Sequence, residues 1–376
     1  MKILILNFEF PPVGGGAANA NLCLLRQYAG NNDLQIDVLT SAPKPGFVKE
    51  KFADNIIIYK VGIHKRNLQF WRKSEVIEWL VKAGPHYKKL VRENDYKLAH
   101  AFFGFPTGWL CYRNAEKLPY IISLRGSDVP GDNARLQLDY KILSPVFRAI
   151  WKKAAGLIAC SEGLKRRAQN FMPSAKIDVI PNGVELDKYF PAPVKPQSDE
   201  LKLITAGRLS STKRIEMLIE TVGILRKQGH KLRLNIAGSG SLEQSLKQLI
   251  SQKKLDYCIE MSGRVEPAGM SDLYRNSDIY ISATMQEGMS NSMLEAMASG
   301  LPIITTRCEG LDELIKDNGV VIDNANPADL AASIKNIIGN TVRFQQMAAA
   351  ARKQAERFSW RSVAEKYIDY YRSIIP

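Results

Sequence analysis

The stretch EGMSNSMLE, residues 287–295, places two carboxylates, Glu287 and Glu295, at the ends of a run of small and apolar residues. The β-branched segment IYISAT (279–284) precedes it, and the segment PIITT (302–306) follows it. A strand, a loop, a short helix and a second strand in this order predict two parallel strands of one sheet. The loop then lies at the carboxyl end of the first strand, where open α/β sheets bind their ligands.

The helix in this stretch is predicted to begin with an anion site. Ser290, Asn291 and Ser292 are good N-cap candidates, and the first N–H groups of a helix attract negative charge. Glu287 and Glu295 would repel a phosphate, but their oxygens accept hydrogen bonds from sugar hydroxyls. A phosphate site between two hydroxyl acceptors fits a sugar nucleotide. The alternative is that both glutamates are only helix-dipole partners on a solvated face.

Strands alternate with helices along all 376 residues, which is enough chain for two domains. The first half has apolar strand-like segments at 2–7, 35–40, 56–60, 97–101, 120–124, 156–160 and 176–180. The same pattern resumes at Leu201 and continues to Thr306. Between the halves, residues 181–200 are proline-rich and lack periodicity, so they are predicted to form a linker. We expect an α/β protein with two doubly wound parallel sheets.

A second anion site is predicted after the first strand of the second half. Gly207, Arg208 and Lys213 occupy the turn between the strand at 201–206 and a helix expected at about 213–227. Two cations oppose the dipole at a helix start, so a bound anion would explain them. Arginine clamps a phosphate in a fork, and lysine adds a point charge. The alternative is that both are solvated surface charges.

Two kinds of loop in the first half could bind a ligand. The glycine run Gly14–Gly16 follows the first strand and allows close backbone approach, although a flexible turn is the alternative. His100 ends a strand and would face a ligand or else lie in the core. Arg125 and Asp128 follow another strand and are functional candidates, unless they form an ion pair that holds their own loop.

The net charge of +14 is concentrated in the first half and suits nucleic acid, an anionic membrane surface or an anionic substrate. Residues 60–97 interleave basic residues with Trp71 and Trp79, which fits an interfacial membrane contact or an ordinary surface helix. The five cysteines are scattered and odd in number, which predicts free thiols in a reducing compartment. With no run long enough to span a bilayer, we expect a cytoplasmic protein.

Taken together, the motifs resemble the GT-B glycosyltransferases, in particular the large retaining family 4 (glycosyl transferases group 1). The resemblance covers essentially the whole chain and is most specific in the second half. It rests on GGGAAN, ACSEGL and IPNGVELDKYF in the first half and on GRLSSTK, IAGSGSL, SDIYISAT and EGMSNSMLEAMASGLPIITT in the second. It implies two Rossmann-like domains facing a cleft: an acceptor-binding domain (1–186), with a final helix (359–376) packed back on it, and a donor-binding domain (187–358).

The resemblance also implies roles for individual residues. Arg208 and Lys213, after Gly207, would hold the donor diphosphate. Glu287 would contact the donor sugar and Glu295 the ribose. The remaining donor contacts would come from the backbone of Met289, Ser290, Asn291 and Ser292, from Arg264 and Val265 beside the base, and from the loop with Gly15 and Gly16.

The first half would supply the acceptor side, with His100, Arg125 and Asp128. Arg125 and Asp128 would join Glu287, Arg208 and Lys213 in the catalytic group. Many relatives have a histidine where this chain has Arg125, and a guanidinium cannot act as a base. The role of that histidine therefore does not transfer to Arg125, which would bind or orient a ligand.

The expected activity is retaining hexosyl transfer from a UDP or GDP sugar to a glycan or a lipid-linked acceptor, in cell-surface polysaccharide biosynthesis. No D-x-D motif and no His or Cys cluster is present, so we expect no metal and no other cofactor. A peripheral position on the inner face of a membrane is a further expectation. The alternatives are a nucleotide-sugar epimerase or a phosphorylase with the same fold, and a basic nucleic-acid-binding protein, although no nucleic-acid recognition motif is present.

Overall fold

The computed structural model describes residues 1–68, 70–131, 137–192 and 199–375. The chain forms two compact units: Met1–Asn182 with the C-terminal segment that starts at Trp360, and Gly183–Ser359. The predicted boundaries were 186/187 and 358/359. Residues 183–186 belong to the second unit because the Val184 N–H donates to the Phe358 carbonyl at 2.7 Å.

The predicted linker is only partly testable, because residues 193–198 lie outside the described residues. Its first part is packed rather than free. Tyr189 is buried, and its ring contacts Tyr274 edge-on at 5.9 Å between centroids. The Arg352 guanidinium donates to the Tyr189 carbonyl at 2.9 Å. This segment is therefore part of the second unit.

The first unit contains an eight-stranded sheet in the order β3-β4-β2-β1-β5-β6-β7-β8. All its strand pairs are parallel except β3–β4. The sequence analysis missed β3, because its mostly exposed residues leave no apolar face to recognise. The strands are β1 (Lys2–Leu6), β2 (Gln35–Ala42), β3 (Gly46–Ala53), β4 (Ile56–Gly62), β5 (Leu98–Phe102), β6 (Tyr120–Leu124), β7 (Gly156–Ala159) and β8 (Ile177–Val179).

Five helices of the first unit precede the second unit in the chain. The helices are α1 (Gly16–Tyr28), α2 (Lys73–Glu93), α3 (Thr107–Tyr112), α4 (Gln137–Lys153) and α5 (Glu162–Phe171). None of the helices in the described ranges is both long and apolar enough to cross a membrane.

The second unit contains a six-stranded, fully parallel sheet in the order β11-β10-β9-β12-β13-β14. Its strands are β9 (Leu201–Ala206), β10 (Leu232–Ala237), β11 (Ile259–Gly263), β12 (Ile279–Ser282), β13 (Ile303–Thr306) and β14 (Gly319–Ile322). Its helices are α6 (Ile215–Lys227), α7 (Glu243–Gln252), α8 (Pro267–Arg275), α9 (Asn291–Ala298), α10 (Leu311–Leu314), α11 (Pro327–Ile338) and α12 (Thr341–Glu356).

Each sheet reverses its strand order once. In the second unit the reversal lies between β9 and β12, and in the first unit it lies between β1 and β5. A crevice forms at such a switch point, outside the carboxyl ends of the strands, because the helices on either side diverge. The fold therefore brings the loops after β9 and β12 together, which are the two loops predicted to bind an anion.

The C-terminal helix α13 (Trp360–Ile374) belongs to the first unit, where it packs against α1. Its buried residues recur at helical spacing: Trp360, Val363, Ala364, Tyr367 and Tyr371. The tyrosine hydroxyls need partners inside the core, and the Tyr371 hydroxyl hydrogen-bonds with His100 at 2.7 Å.

Candidate active site of the second unit

Two glycines bring the loops after β9 and β10 into backbone contact. Gly207 has φ +148° and Gly238 has φ +147°. A Cβ atom on Gly238 would collide with the Gly207 carbonyl oxygen, and one on Gly207 would lie 3.5 Å from the Lys213 Cε. Glycine is required at 238 because a side chain there would separate the loops, and at 207 because its positive φ is one that other residues rarely adopt. The lysine therefore lies directly over the backbone turn after β9.

Lys213 and Glu287 form an ion pair at the switch point. The Lys213 ammonium donates a hydrogen bond to the Glu287 carboxylate, and the two side chains are 20% and 23% exposed. Burial alone would lower the pKa of the Lys213 ammonium, but the Glu287 charge raises that pKa above its ordinary value. The structure thus joins a cation and a carboxylate that the sequence analysis assigned to two separate loops.

The backbone before α6 differs from the prediction. Ser211–Lys213 form a single 3-10 turn, Arg214 has φ +46°, and α6 begins at Ile215. The predicted helix start at Lys213 is therefore wrong by two residues. The reversal at Arg214 separates Lys213 from the helix.

Arg214 is a site-forming residue that the sequence analysis missed. Its Nε donates to the Ala283 carbonyl at 2.6 Å, and a terminal nitrogen donates to the Thr306 hydroxyl at 2.9 Å. Its guanidinium therefore fastens the turn to the carboxyl ends of β12 and β13. The signal in the sequence was a third cation directly before the apolar helix.

Arg208 contrasts with Arg214. The Arg208 side chain is exposed, and its guanidinium makes no hydrogen bond or ion pair with the described part of the chain. A guanidinium without such a partner keeps all its donors available for a ligand. Arg208 is therefore an exposed cation of this loop that is available to a ligand, and we call it the open cation.

The loop after β12 leads into the start of α9, as predicted. Ser290 is the N-cap, and its hydroxyl accepts from the Met293 N–H at 3.3 Å. Asn291 and Ser292 are the first residues of α9 rather than its cap. The buried Met289 anchors the loop from below.

Tyr280 links the two loops from within the sheet. Its hydroxyl lies 2.8 Å from the Ser292 hydroxyl and donates to the Ala206 carbonyl at 3.4 Å. The end of β9 and the start of α9 are thus held by one side chain. Nothing local in the sequence distinguishes Tyr280 from an ordinary strand residue, so its role could not be predicted.

Glu295 lies on α9 and is partly buried. It accepts a hydrogen bond from the Tyr274 hydroxyl at 3.0 Å. Burial raises the pKa of Glu295 to about 7, and the Tyr274 hydrogen bond opposes that rise. Glu295 is therefore a hydrogen-bonded carboxyl group with a raised pKa, and not the solvated helix-dipole partner of the alternative interpretation.

Arg264 and Val265 follow β11, at the same carboxyl ends of the strands as the loops after β9 and β12. The strand β10 separates β11 from β9. Arg264 is exposed and Val265 is half-buried against Gly269. Their predicted place beside a nucleotide base stays a prediction. Among the described residues no group of three or more His, Cys, Asp or Glu side chains is arranged to hold a metal ion.

His100 does not lie in an open acceptor site, which corrects that expectation. It is fully buried, with Nδ1 at 2.7 Å from the Tyr371 hydroxyl and Nε2 at 2.7 Å from the Ser123 hydroxyl. Burial lowers the pKa of His100 to about 3, and the Arg125 charge adds to this shift. His100 is a neutral core histidine, which was the alternative.

Asp128 is half-buried and hydrogen-bonded to backbone, and its predicted catalytic role stays a prediction. Its carboxylate accepts backbone N–H groups of Gly104 at 2.7 Å, Arg125 at 2.8 Å and Gly126 at 3.1 Å. Burial raises the pKa of Asp128, and the hydrogen bonds from the Gly104 and Arg125 N–H groups oppose the rise. The carboxylate holds its own loop to the neighbouring one, so its acceptor capacity is largely used within the protein.

The Arg125 guanidinium is likewise engaged within the first unit. It donates to the Asn182 side-chain oxygen at 2.6 Å and lies 5.5 Å from the Phe102 ring centroid. Asp128 binds the backbone of Arg125, and the predicted alternative of an ion pair between the two side chains is also wrong. Arg125 positions the loop after β6.

The glycine run is a fastened loop, not the flexible turn of the alternative interpretation. Gly14 has φ +99° and donates its N–H to the Leu68 carbonyl at 2.7 Å, and α1 begins at Gly16. The Gly15 N–H donates to the Glu9 carboxylate at 3.3 Å. Glu9 is not among the predicted site residues, and its carboxylate places a negative charge at the start of α1.

None of the five cysteines, all within the described ranges, forms a disulfide, which agrees with the predicted thiols, and Cys308 interacts electrostatically with the ion pair. Burial raises the pKa of the Cys308 thiol to about 12, with the Glu287 charge contributing. The thiol is therefore protonated and inert at neutral pH.

Two family profiles and a solved structure match this chain. The profile described as "Glycosyltransferase Family 4" matches residues 14–188, and that described as "Glycosyl transferases group 1" matches residues 187–355. HepE of Anabaena, solved in complex with UDP and glucose, superimposes with a TM-score of 0.74, at 19% identity, over 99% of this chain and 100% of that one.

Two curated relatives are similar in sequence. An uncharacterized glycosyltransferase of Methanocaldococcus jannaschii is 24% identical over 99% of this chain and 98% of its own length. The putative colanic acid biosynthesis glycosyltransferase WcaL of Escherichia coli is 28% identical over 46% of this chain and 44% of its own length.

The chain is thus a glycosyltransferase with the GT-B fold. It belongs to the family 4 glycosyltransferases (glycosyl transferases group 1), as the resemblance predicted.

Proposed function

We propose that the protein transfers a hexosyl residue from a UDP or GDP sugar to a glycan or lipid-linked acceptor, with retention of configuration. The observation that carries the donor part is the Lys213–Glu287 ion pair at the switch point of the second unit, with the open Arg208 on the same loop as Lys213. It combines phosphate-binding cations with a carboxylate suited to sugar hydroxyls.

The chemistry is the departure of a nucleoside diphosphate from the anomeric carbon. The leaving phosphate gains negative charge, and Lys213, Arg208 and the amino end of α9 would stabilise that charge. A bound phosphate would draw Lys213 away from Glu287. The released Glu287 carboxylate would then accept hydrogen bonds from hydroxyls of the donor sugar. Occupation of the site thus exchanges one ion pair for two ligand contacts.

We also propose that the reaction proceeds without a metal ion, because Lys213 and Arg208 carry the charge that a divalent cation would otherwise supply. The retained configuration rests on the family resemblance rather than on geometry. The first unit would provide the acceptor side, where the Gly14–Gly16 loop begins α1 beside Glu9.

Two relatives support the substrate classes. HepE was solved with UDP and glucose, so a UDP sugar is the first donor to test. The name of WcaL refers to colanic acid biosynthesis, which supports an acceptor in cell-surface polysaccharide biosynthesis.

Calorimetric titration with UDP, GDP and ADP, with and without Mg²⁺, tests the donor site. We expect binding of UDP or GDP without Mg²⁺ and at least a tenfold weaker affinity in Lys213→Ala, because a charge-assisted hydrogen bond is lost. Lys247→Ala is the matched control, since Lys247 pairs with Glu243 on the exposed face of α7. Equal affinities in all three proteins would refute the proposed site, and binding only with Mg²⁺ would refute the metal-free reaction.

A further inference from the structure

The two tryptophans from which the sequence predicts a membrane contact are not exposed on the surface. Trp79 is fully buried, so it cannot contact a bilayer, and that part of the prediction is wrong. Trp71 is half-buried, with the Lys65 ammonium 4.0 Å from its ring centroid. Neither tryptophan therefore forms an exposed interfacial belt.

Other apolar side chains of the first unit are exposed instead. Ile77 and Val81 on α2 are 59% and 69% exposed, and Leu138 and Ile142 on α4 are 67% and 65% exposed. Each pair is four residues apart, so each forms a stripe along one side of its helix. Within the described residues, Val81, Leu138 and Ile142 are the three most exposed large apolar side chains.

The two stripes belong to one surface. The Lys73 ammonium, at the start of α2, pairs with the Asp139 carboxylate, near the start of α4, at 2.7 Å. The short helix α3 packs against both α2 and α4. We call the surface formed by Ile77, Val81, Leu138 and Ile142 with the charged residues around them the α2–α4 face.

The charge around these stripes is positive. The exposed cations on the two helices and at the α2 N-cap are Arg72, Lys73, Lys88, Lys89, Arg92, Lys141, Arg148, Lys152 and Lys153. The neighbouring acids are neutralised: Asp139 pairs with Lys73, and Glu78 pairs with Lys82 at 2.7 Å. Glu75 is buried against Lys65 and does not reach this surface. Lys73, Arg92 and Lys153 are likewise paired with Asp139, Glu93 and Glu116, so the excess positive charge comes from Arg72, Lys88, Lys89, Lys141, Arg148 and Lys152. The α2–α4 face thus combines exposed aliphatic residues with an excess of lysine and arginine.

We infer that the α2–α4 face docks on a lipid bilayer that contains anionic lipid. Aliphatic side chains would enter the acyl boundary, and lysine and arginine would bind headgroup phosphates. Protein interfaces are instead depleted of lysine and enriched in aromatic residues. Single-stranded nucleic acid requires exposed aromatic rings for stacking, and the two stripes contain none. This inference is independent of the donor site, which lies in the second unit.

Co-sedimentation of the full-length protein with phosphatidylcholine vesicles, with and without phosphatidylglycerol, tests this inference. We expect binding to the anionic vesicles at about 0.05 M salt and weaker binding at about 0.5 M, because salt screens the headgroup charge. The variant Ile77→Ser/Val81→Ser/Leu138→Ser/Ile142→Ser should bind at least about tenfold more weakly, since its aliphatic insertion is lost. The control Val48→Ser/Val342→Ser removes exposed valines elsewhere and should bind like the wild type.

Unchanged thermal unfolding and nucleotide affinity would show that the fourfold variant is folded. No binding of the wild type to anionic vesicles, or equal binding of wild type and fourfold variant, would overturn the inference. The inference would also be overturned if the wild type did not bind vesicles but self-associated or bound RNA, and the fourfold variant lost that association. Failure of wild-type nucleotide binding would refute the proposed donor site alone, because vesicle binding is measured without nucleotide.

Discussion

Lys213 and Glu287 are 74 residues apart in the chain, yet the ammonium of one donates a hydrogen bond to the carboxylate of the other. The pair exists because β9 and β12 are neighbours in the sheet although β10 and β11 separate them in the chain. It sets the charge state of the site before any ligand enters. A cation already paired must exchange its partner to bind phosphate, so each side of the pair affects the affinity for the donor.

Glu287→Gln separates the two roles of this carboxylate. We expect UDP or GDP to bind a few-fold more tightly, because the charge that competes for Lys213 is gone. Sugar transfer should fall about a hundredfold, since an amide is a weaker acceptor for donor hydroxyls that tighten in the transition state. Calorimetry and an initial-rate assay measure the two effects, with Glu243→Gln as the control. Unchanged transfer would remove Glu287 from the reaction.

Arg208→Ala tests the open cation. Because the guanidinium has no partner in the described part of the chain, the melting temperature should change by less than about 2 °C. Nucleotide affinity should fall about tenfold, since a charge-assisted phosphate contact is lost. Arg233→Ala, which removes an exposed arginine paired with Glu200, should leave the affinity unchanged. A large stability loss with normal affinity would assign Arg208 a structural role instead.

Glu295→Gln tests a raised carboxyl pKa. The pKa of Glu295 is about 7 in the folded protein and returns to the ordinary carboxyl value on unfolding. The folded state therefore holds a proton that the unfolded state releases, and the stability of the wild type falls as pH rises from about 4.5 to 7. The difference in unfolding free energy between wild type and variant should change by up to about 3 kcal/mol over this window. Denaturation at several pH values measures it, and a flat difference would contradict the burial of this carboxyl.

His100→Gln tests a lowered histidine pKa, which gives the wild-type stability a pH dependence of the opposite sign. The pKa of His100 is about 3 in the folded protein and returns to about 6.5 on unfolding, so the unfolded state binds the extra proton. The wild type should lose stability as pH falls below about 6.5, by about 2 kcal/mol at pH 5, and the variant should lack this term. A titratable ring between pH 5 and 7 by NMR would show instead that His100 is solvated.

Local sequence signals predicted the secondary structure around the site well. The β-branched run before Glu287 is β12, and Ser290 caps α9 as its short polar side chain suggested. The misses have physical reasons. The strand β3 has no apolar face, and the start of α6 is delayed by a left-handed residue, Arg214, that no local preference foretells.

The candidate residues of the first unit fared differently, because a position at a strand end does not reveal burial. His100 and Asp128 stand where a ligand group would stand. The partner that holds His100 in the core is Tyr371, which follows it by 271 residues, and the Asp128 carboxylate is bound by the backbone of a separate loop. Conversely, Glu9 and Arg214 can be recognised as site residues only when their spatial neighbours are known.

The sequence by itself determined the alternation of strands and helices, the glycines at the turns, the helix caps and the family, because each depends on neighbouring residues or on motif order. Only the tertiary structure decided which charges meet, which are buried and which stay open. Lys213 pairs with Glu287, Arg214 is fixed to the sheet, and Arg208 is exposed, although all three cations lie within seven residues of one another. Strand order and burial set those differences, and both arise from contacts between residues far apart in the chain.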